Sequence, residues 1–514
     1  MKQPIQPGMI SHIITPMRKL ILPLLLFCLV LGLGSSQGTA SEGPIVYLPF
    51  VQKPGNLWLG PDGGRAVCLA VNPADPTIMY AGSWGTGMYK SVDGGLTWFQ
   101  INNGLGNLYI NSLAIDPKQP AVLYAGTYHS QVYKSIDGGN SWVWSGTGIQ
   151  AEAIVYTIAI DPVNTAYIYI GTRGISNNGL PPWKGVVYKS TTAGASWAAL
   201  PEMQNIGGVG VQDWVYSLAV NPADHDNVVA ATHEYGAYRT NDYGVNWFTI
   251  NDGITDLSGR SILVEWLDGD PYTLYMGVWH GAGVFRSENN GGEWYLTNKS
   301  ITGIAIYSMT MDPVDHRVIY LSSFTHGVVR TANRGDDWVL RGLKDDGIYG
   351  VAINPKLTST IFAATAGDGI YRSPDKGLTW AHSQAGFRNA DIASVVAPGI
   401  PRQLFTALFG GGVRSSTDGG ATWQVFNSGL TDKYVLQLVA DPSQPYIMYA
   451  LTQTDGLFRY DTFSSTSWVP VGEALPLSTS SLPAFNADDP RASRETLLDE
   501  MNPTASPEGV LVSE

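Results

Sequence analysis

The chain has 514 residues, of which only 14% are charged, against 59 Gly and 42 Trp plus Tyr. Few charges with many turn-forming and aromatic residues exclude a helical protein and point to an all-β one. The net charge of −13, with no Lys/Arg run, argues against sequence-independent binding to nucleic acid or anionic membrane.

Residues 18–40, RKLILPLLLFCLVLGLGSSQGTA, join a basic pair, an apolar run from Leu20 to Leu33 and small residues ending at Ala40. That is the layout of a secretory signal peptide, residues 1–40, with Met9 or Met17 as alternative starts. The apolar run is about fourteen residues, short of the roughly twenty a spanning helix needs. An uncleaved leader would be the one route to membrane contact. Cleavage leaves 27 basic against 43 acidic groups, a net −16. Phe27 spoils Cys28 as a lipoprotein site, and the Cys68 that remains allows no intrachain disulfide. Cys68 stands in AVCLAV, an apolar strand pattern, and reads as a buried structural thiol. Residues 41–65 form a lead-in, in which PIVYLPFV (44–51) could supply a ring-closing strand.

From residue 66 the chain repeats itself. SVDGGLTW (91–98) recurs as SIDGGNSW, STTAGASW, TNDYGVNW, SENNGGEW, TANRGDDW, SPDKGLTW and STDGGATW, with a worn ninth copy, DTFSSTSW. The closing Trp residues stand at 98, 142, 197, 247, 294, 338, 380, 423 and 468, in steps of 42 to 55. About thirty residues before each Trp comes an apolar strand, often closed by Asp/Asn-Pro, as in SLAIDP (112–117). Next come a second strand, as in VLYAGTY (122–128), a turn, and a third strand, as in GMYKS (87–91). Four short antiparallel strands per 45 residues make the blade of a β-propeller. The reading is one all-β propeller over 66–474 with about nine four-stranded blades. A seven-bladed ring with extra repeats, or eight or ten blades, stays open. In each eight-letter stretch Gly permits the turn, while Asp93, Asp137, Asp242, Asp375 and Asp418 accept backbone hydrogen bonds across it. Trp98, Trp142, Trp247, Trp380 and Trp423 pack between neighbouring blades. Lys90, Lys134, Lys189, Arg239, Arg286, Arg330 and Arg372 form a cationic column, expected to pair with acids at the blade edge.

The Ser-x-Asp-x-Gly-x-Thr-Trp pattern resembles the Asp-box, or BNR, repeat over residues 66–470. That resemblance implies a propeller whose boxes are structural, shared by sialidases, xyloglucanase-type hydrolases, sortilin-type receptors and photosystem II stability/assembly factors. The sialidase Arg-Ile-Pro motif is absent; only Ile400-Pro401-Arg402 comes near. Xyloglucanase-like enzymes are similar in phrasing, but Trp84 stands where their catalytic Asp is implied, ahead of Gly-x-Tyr. An inverting glycosidase needs two carboxylates about 6.5–9.5 Å apart. The Cys-rich module implied by a sortilin-type receptor is missing. The assembly-factor type, a docking platform with no catalytic residues, fits best.

Turns between second and third strands cluster on one propeller face. In order they carry Trp84, Tyr128 and His129, then Arg173 with an insertion holding Trp183 and Lys184. His233 and Glu234, Trp279 and His280, His326, Asp368, Phe409 and Asp455 follow. Bulky rings and His in turns that favour Gly and Asn read as a binding face. Asp368, Asp455 and Glu234 are the acids for a hydrolase. A metal site from His233, His280 and His326 would need three blades to converge; neither a metal nor a cofactor is expected. Residues 475–514, rich in Ser, Pro and acids, read as a disordered tail. The expectation is a secreted or cell-surface, monomeric, non-catalytic propeller that binds an extracellular protein or carbohydrate. The alternative is a xyloglucanase-like glycoside hydrolase.

Overall fold

The computed structural model describes residues 64–471, apart from 130–131, 152, 174–184, 204–212, 266–271, 298–302, 345, 384–391, 397–401, 421, 442–443 and 445. These residues form 36 strands in nine four-stranded antiparallel sheets, each in the strand order 1-2-3-4. They fall within one compact unit, Leu48–Glu514.

Blade 1 shows how the local sequence makes the sheet. β1 (Ala66–Val71), β2 (Met79–Ser83), β3 (Gly87–Ser91) and β4 (Phe99–Gln100) pair in turn. Every residue of β2 is buried, as a strand covered on both faces requires, whereas β4 is two exposed residues. So short an outer strand offers little free edge for pairing with other chains. The hairpin between β3 and β4 is tied by hydrogen bonds. The Ser91 hydroxyl donates to Asp93 (2.8 Å) and accepts from the Gly95 amide (2.8 Å). Asp93 also accepts from the Thr97 amide (3.0 Å) and hydroxyl (2.6 Å). Gly94 and Gly95 have φ of 71° and 86°, which Gly adopts without a Cβ penalty. The same knot recurs at Asp137, Asp242, Asp375 and Asp418, and Thr192, Asn289 and Asn333 take the Asp's place in three other blades. Those hydrogen bonds hold Asp137 and Asp375 down to about 2.

The hairpins also join the blades. Most box Trp residues donate the indole N–H to the preceding blade just past that blade's fourth strand, as Trp142 does to Ile101 (2.7 Å), Trp197 to Ser145 (2.7 Å) and Trp294 to Ile250 (2.6 Å). The exceptions are Trp423, which bonds within its own hairpin, and Trp247, whose indole N–H is unpaired among the described residues. A second latch runs the other way. Tyr80 and Lys90 both donate to the Gly138 carbonyl in the next blade's hairpin (3.2 and 2.9 Å), and Tyr124 and Lys134 to Ala193 (2.9 and 2.7 Å). Lys189, Arg239 and Arg286 reach Tyr243, Asn290 and Arg334 likewise. The main partner of these cations is therefore a turn carbonyl rather than the expected acid. Arg286, which also pairs with Glu288 and Asp336, does both. A carbonyl at positive φ is turned out of its own ladder, toward the neighbouring blade.

The nine blades are not one continuous ring. The innermost strand of blade 7 (348–382) packs on β1 as consecutive blades do, and Trp98 donates to the Ser383 carbonyl (2.7 Å), closing a circle of seven. This is the arrangement with two extra repeats that the sequence left open. Blades 8 (392–425) and 9 (435–470) pack on each other over their own core, which includes Phe405, Phe458 and Trp468. At the register position of Tyr89, blade 8 carries Arg414, which reaches Asp368 in the 2–3 turn of blade 7. Lys433 pairs with Asp346 at 2.5 Å. Gly367 and Gly410 bring the two turns together so closely that a Cβ on Gly367 would stand 2.4 Å from the Gly410 carbonyl carbon. The two-blade annex is thus seated on the ring's 2–3 face.

Candidate functional site: the channel mouth

Each blade's innermost strand carries a β-bulge at the same place, where the pairing register slips by one residue. A bulge opposes two residues to one and re-aims a side chain. In the ring the bulged residues are Val67, Asn111, Tyr156, Tyr216, Arg260, Tyr307 and Tyr349; in the annex they are Ala393 and Leu436. All seven ring residues line one central cavity of about 260 Å³, together with Arg65 and Trp84. The following Ser residues hold the wall together. Ser112 donates to the Val155 carbonyl (3.2 Å), and Ser217 and Ser261 accept from the Ile262 and Met309 amides (both 3.1 Å).

The bulged side chains form a continuous arc across five blades. Tyr156 meets Tyr216 edge-on (4.9 Å), Arg260 lies between Tyr216 (3.8 Å) and Tyr307 (4.2 Å), and Tyr307 meets Tyr349 edge-on (4.7 Å). The arc continues through Phe324 to Tyr434 of the annex, which stacks on it at 5.9 Å. From there it passes by Phe409 to Arg65, which lies 5.9 Å from Phe409 and 6.0 Å from Trp84. Guanidinium over aromatic faces is attractive by about 0.5–2 kcal/mol a pair and fixes the cation in place. Burial pushes the Tyr434 phenol well above its ordinary range, so it stays protonated. None of the twenty residues lining the cavity is Asp or Glu.

The sequence-selected residues divide around this mouth. Trp84 is buried, edge-on to Tyr109 (5.3 Å) and Tyr128 (5.1 Å), and Tyr128 stacks on the exposed His129 (4.0 Å). Arg173 lies 4.1 Å over Trp214, whose ring also meets His233 at 4.5 Å. Trp183 lies outside the described residues. His233 stands 3.7 Å from both Asp213 and Glu234. Burial raises the Asp213 carboxyl although it accepts the Trp214 and Glu234 amides. Trp279 is edge-on to Tyr307 (5.9 Å) and 5.5 Å from Arg260; the exposed His280 lies 3.7 Å from Asp256. His326 meets the Thr325 hydroxyl (2.8 Å). Among the described residues no group of three His, Cys, Asp or Glu could hold a metal.

The hydrolase acids are scattered. Asp368 is buried in the ring–annex junction against Arg414 and accepts the Tyr371 hydroxyl at 2.6 Å. Asp455 accepts from Thr431 and Thr454 on blade 9, and Glu234 is exposed beside His233. Cys68 contributes to the channel wall, its thiol pushed up to about 12 by burial. The residues that sequence reasoning missed are the bulged ones. Their signal is a bulky residue directly ahead of Ser or Thr in successive first strands: Tyr156-Thr157, Tyr216-Ser217, Arg260-Ser261, Tyr307-Ser308.

No family model matches the chain, and no curated protein matches it. Solved structures do. A GH74 xyloglucanase from Xanthomonas campestris is similar with a TM-score of 0.52 at 15% identity, over 80% of this chain and 74% of that one. A GH74 enzyme from Niastella koreensis gives 0.52 at 16% identity, over 81% and 73%. YCF48 bound to D1 peptide aligns with 61% of this chain and 93% of its own, at 15% identity and a TM-score of 0.43. At these identities the likeness is one of fold: the chain is a β-propeller protein.

Proposed function

We propose that this is a secreted or cell-surface, non-catalytic propeller that binds an extracellular protein or glycan at the channel mouth of its seven-bladed ring. The observation that carries the reading is the arc Tyr156–Tyr216–Arg260–Tyr307–Tyr349. Five adjacent blades use the same bulge to aim large rings and a cation into one cavity that no acid lines. Such a wall offers apolar contact and hydrogen-bond donors, the means of recognition, without the paired carboxylates of glycoside hydrolysis. The leader at 18–40 supports export, and the nine hairpins support a place among Asp-box propellers.

One observation favours the hydrolase reading. Asp213 and Glu234 flank His233, and burial of Asp213 raises it as a general acid would require. A single panel decides between the two. The chain from Ser41 onward is assayed against immobilised polysaccharides, xyloglucan included, and extracellular peptides, for retention and for reducing-sugar release. Retention lost in Arg260→Gln, with no sugar released, supports binding. Release abolished by Asp213→Asn or Glu234→Gln overturns it in favour of hydrolysis.

A further inference from the structure

The two latches between blades identify one face left without its usual neighbour. In blade 9 Tyr449 and Arg459 stand at the paired register positions of Tyr80 and Lys90. In the ring that pair grips a turn carbonyl of the next blade. Among the described residues no blade follows the ninth. Its second strand alternates buried and half-exposed residues where every ring blade's second strand is buried almost throughout. Arg459 lies against Asp461 at 3.6 Å instead.

The complementary half is on blade 8. Its hairpin presents Gly419 at the position of Gly138, but Gly419 is exposed where Gly138 is buried. Trp423 is half-buried and donates to Gly420 within its own hairpin (3.1 Å), whereas Trp468 donates to Phe426 of the preceding blade (2.8 Å). Blades 8 and 9 already pack on each other, so the Gly419 hairpin cannot swing round to the far face of blade 9 in the same chain.

We propose that the far face of blade 9 docks the blade 8 hairpin of a second copy of this chain. Tyr449 and Arg459 take the Gly419 carbonyl of the partner, repeating the hairpin latch by which Tyr80 and Lys90 hold Gly138. A two-fold arrangement satisfies both copies at once, as an isologous contact does. Ligand binding at the channel mouth plays no part in this contact.

Sedimentation equilibrium of the chain from Ser41 onward, at about 1–50 µM, tests it, because a self-associating chain shows its dimer as a function of concentration. The expected result is a reversible dimer. Arg459→Glu, a half-exposed position whose change leaves the cores intact, weakens it at least about tenfold, and Tyr449→Phe less. A disulfide between Thr417→Cys and Arg459→Cys chains, formed on mixing and in neither chain alone, supports the pairing. A chain that stays monomeric across the range overturns the proposal, and so does a dimer indifferent to Arg459→Glu.

Discussion

The seven-bladed ring and the two-blade annex are written in the same repeat but answer to different neighbours. In the ring each blade is covered front and back, so the front position of the third strand is aromatic or aliphatic, as Tyr89, Tyr133 and Tyr238 are, and is buried in all but blade 7, where Tyr371 is half-buried. In the annex the front of blade 8 meets the ring's turns rather than a flat sheet, and the same position holds Arg414 against Asp368. The cation of the third strand changes too: blade 8 has Ser415 where the ring has Lys90. A repeat keeps its fold through its hairpin and strands, while its seams record who packs beside it.

That contrast is breakable by experiment. Trp142→Ala removes a buried ring and its indole bond from a ring seam and should cost about 3–5 kcal/mol in denaturant unfolding. Trp423→Ala, half-buried with its bond inside its own hairpin, should cost less than half as much. Equal losses would mean that the annex front is packed like a ring seam. Arg414→Ala strands Asp368 in the junction and should cost about 3 kcal/mol. The loss should fall on the annex, seen as an early unfolding step and as new proteolysis within 392–470 while the ring stays protected. Lys90→Met should cost about 1 kcal/mol by depriving the Gly138 carbonyl of a donor. Arg459→Met, in a monomer, should change stability by far less.

The smallest effect concerns acid. Asp137 and Asp375 titrate at about 2 in the fold, below the roughly 3.9 of an unfolded Asp. Folding therefore gains from their charge above about pH 4, and that gain is lost as pH falls toward 2. Asn serves in the same knot at Asn289 and Asn333, so Asp137→Asn should cost little at pH 7 and flatten the decline between pH 4 and 2. Stability profiles of the two proteins against pH check this.

The blades were legible because each hairpin is local. Ser, Asp, two turn residues and Trp lie within eight positions, and all but Trp make their bonds to one another. Ring closure was not legible, because Trp98 and Ser383 meet across 285 residues and nothing near either marks the contact. The substitutions that end the ring, Arg414 for Tyr and Ser415 for Lys, resemble ordinary variation between repeats. The mouth was half legible. The 2–3 turns name Trp84, which lines the cavity, and Trp279, which packs on Tyr307 and Arg260. Strand alternation, however, assigns Tyr216 and Arg260 to a sheet face, and only the bulge turns them into the channel.

The bond between Trp98 and Ser383 also sets an order of events. Six seams join blades adjacent in sequence and can form as the chain emerges, but the seventh waits until residue 383 is available. Closing so long a loop is slow, because its entropy is lost before any contact rewards it. Until then blade 1 exposes the face that Phe362 and Ile370 will cover. Asp368, which receives the annex through Arg414, is held by the same closing seam, through its bridge to Gly64. The annex therefore gains its seat only once the circle beneath it is complete, and a chain stalled before residue 383 would show an open, adhesive edge.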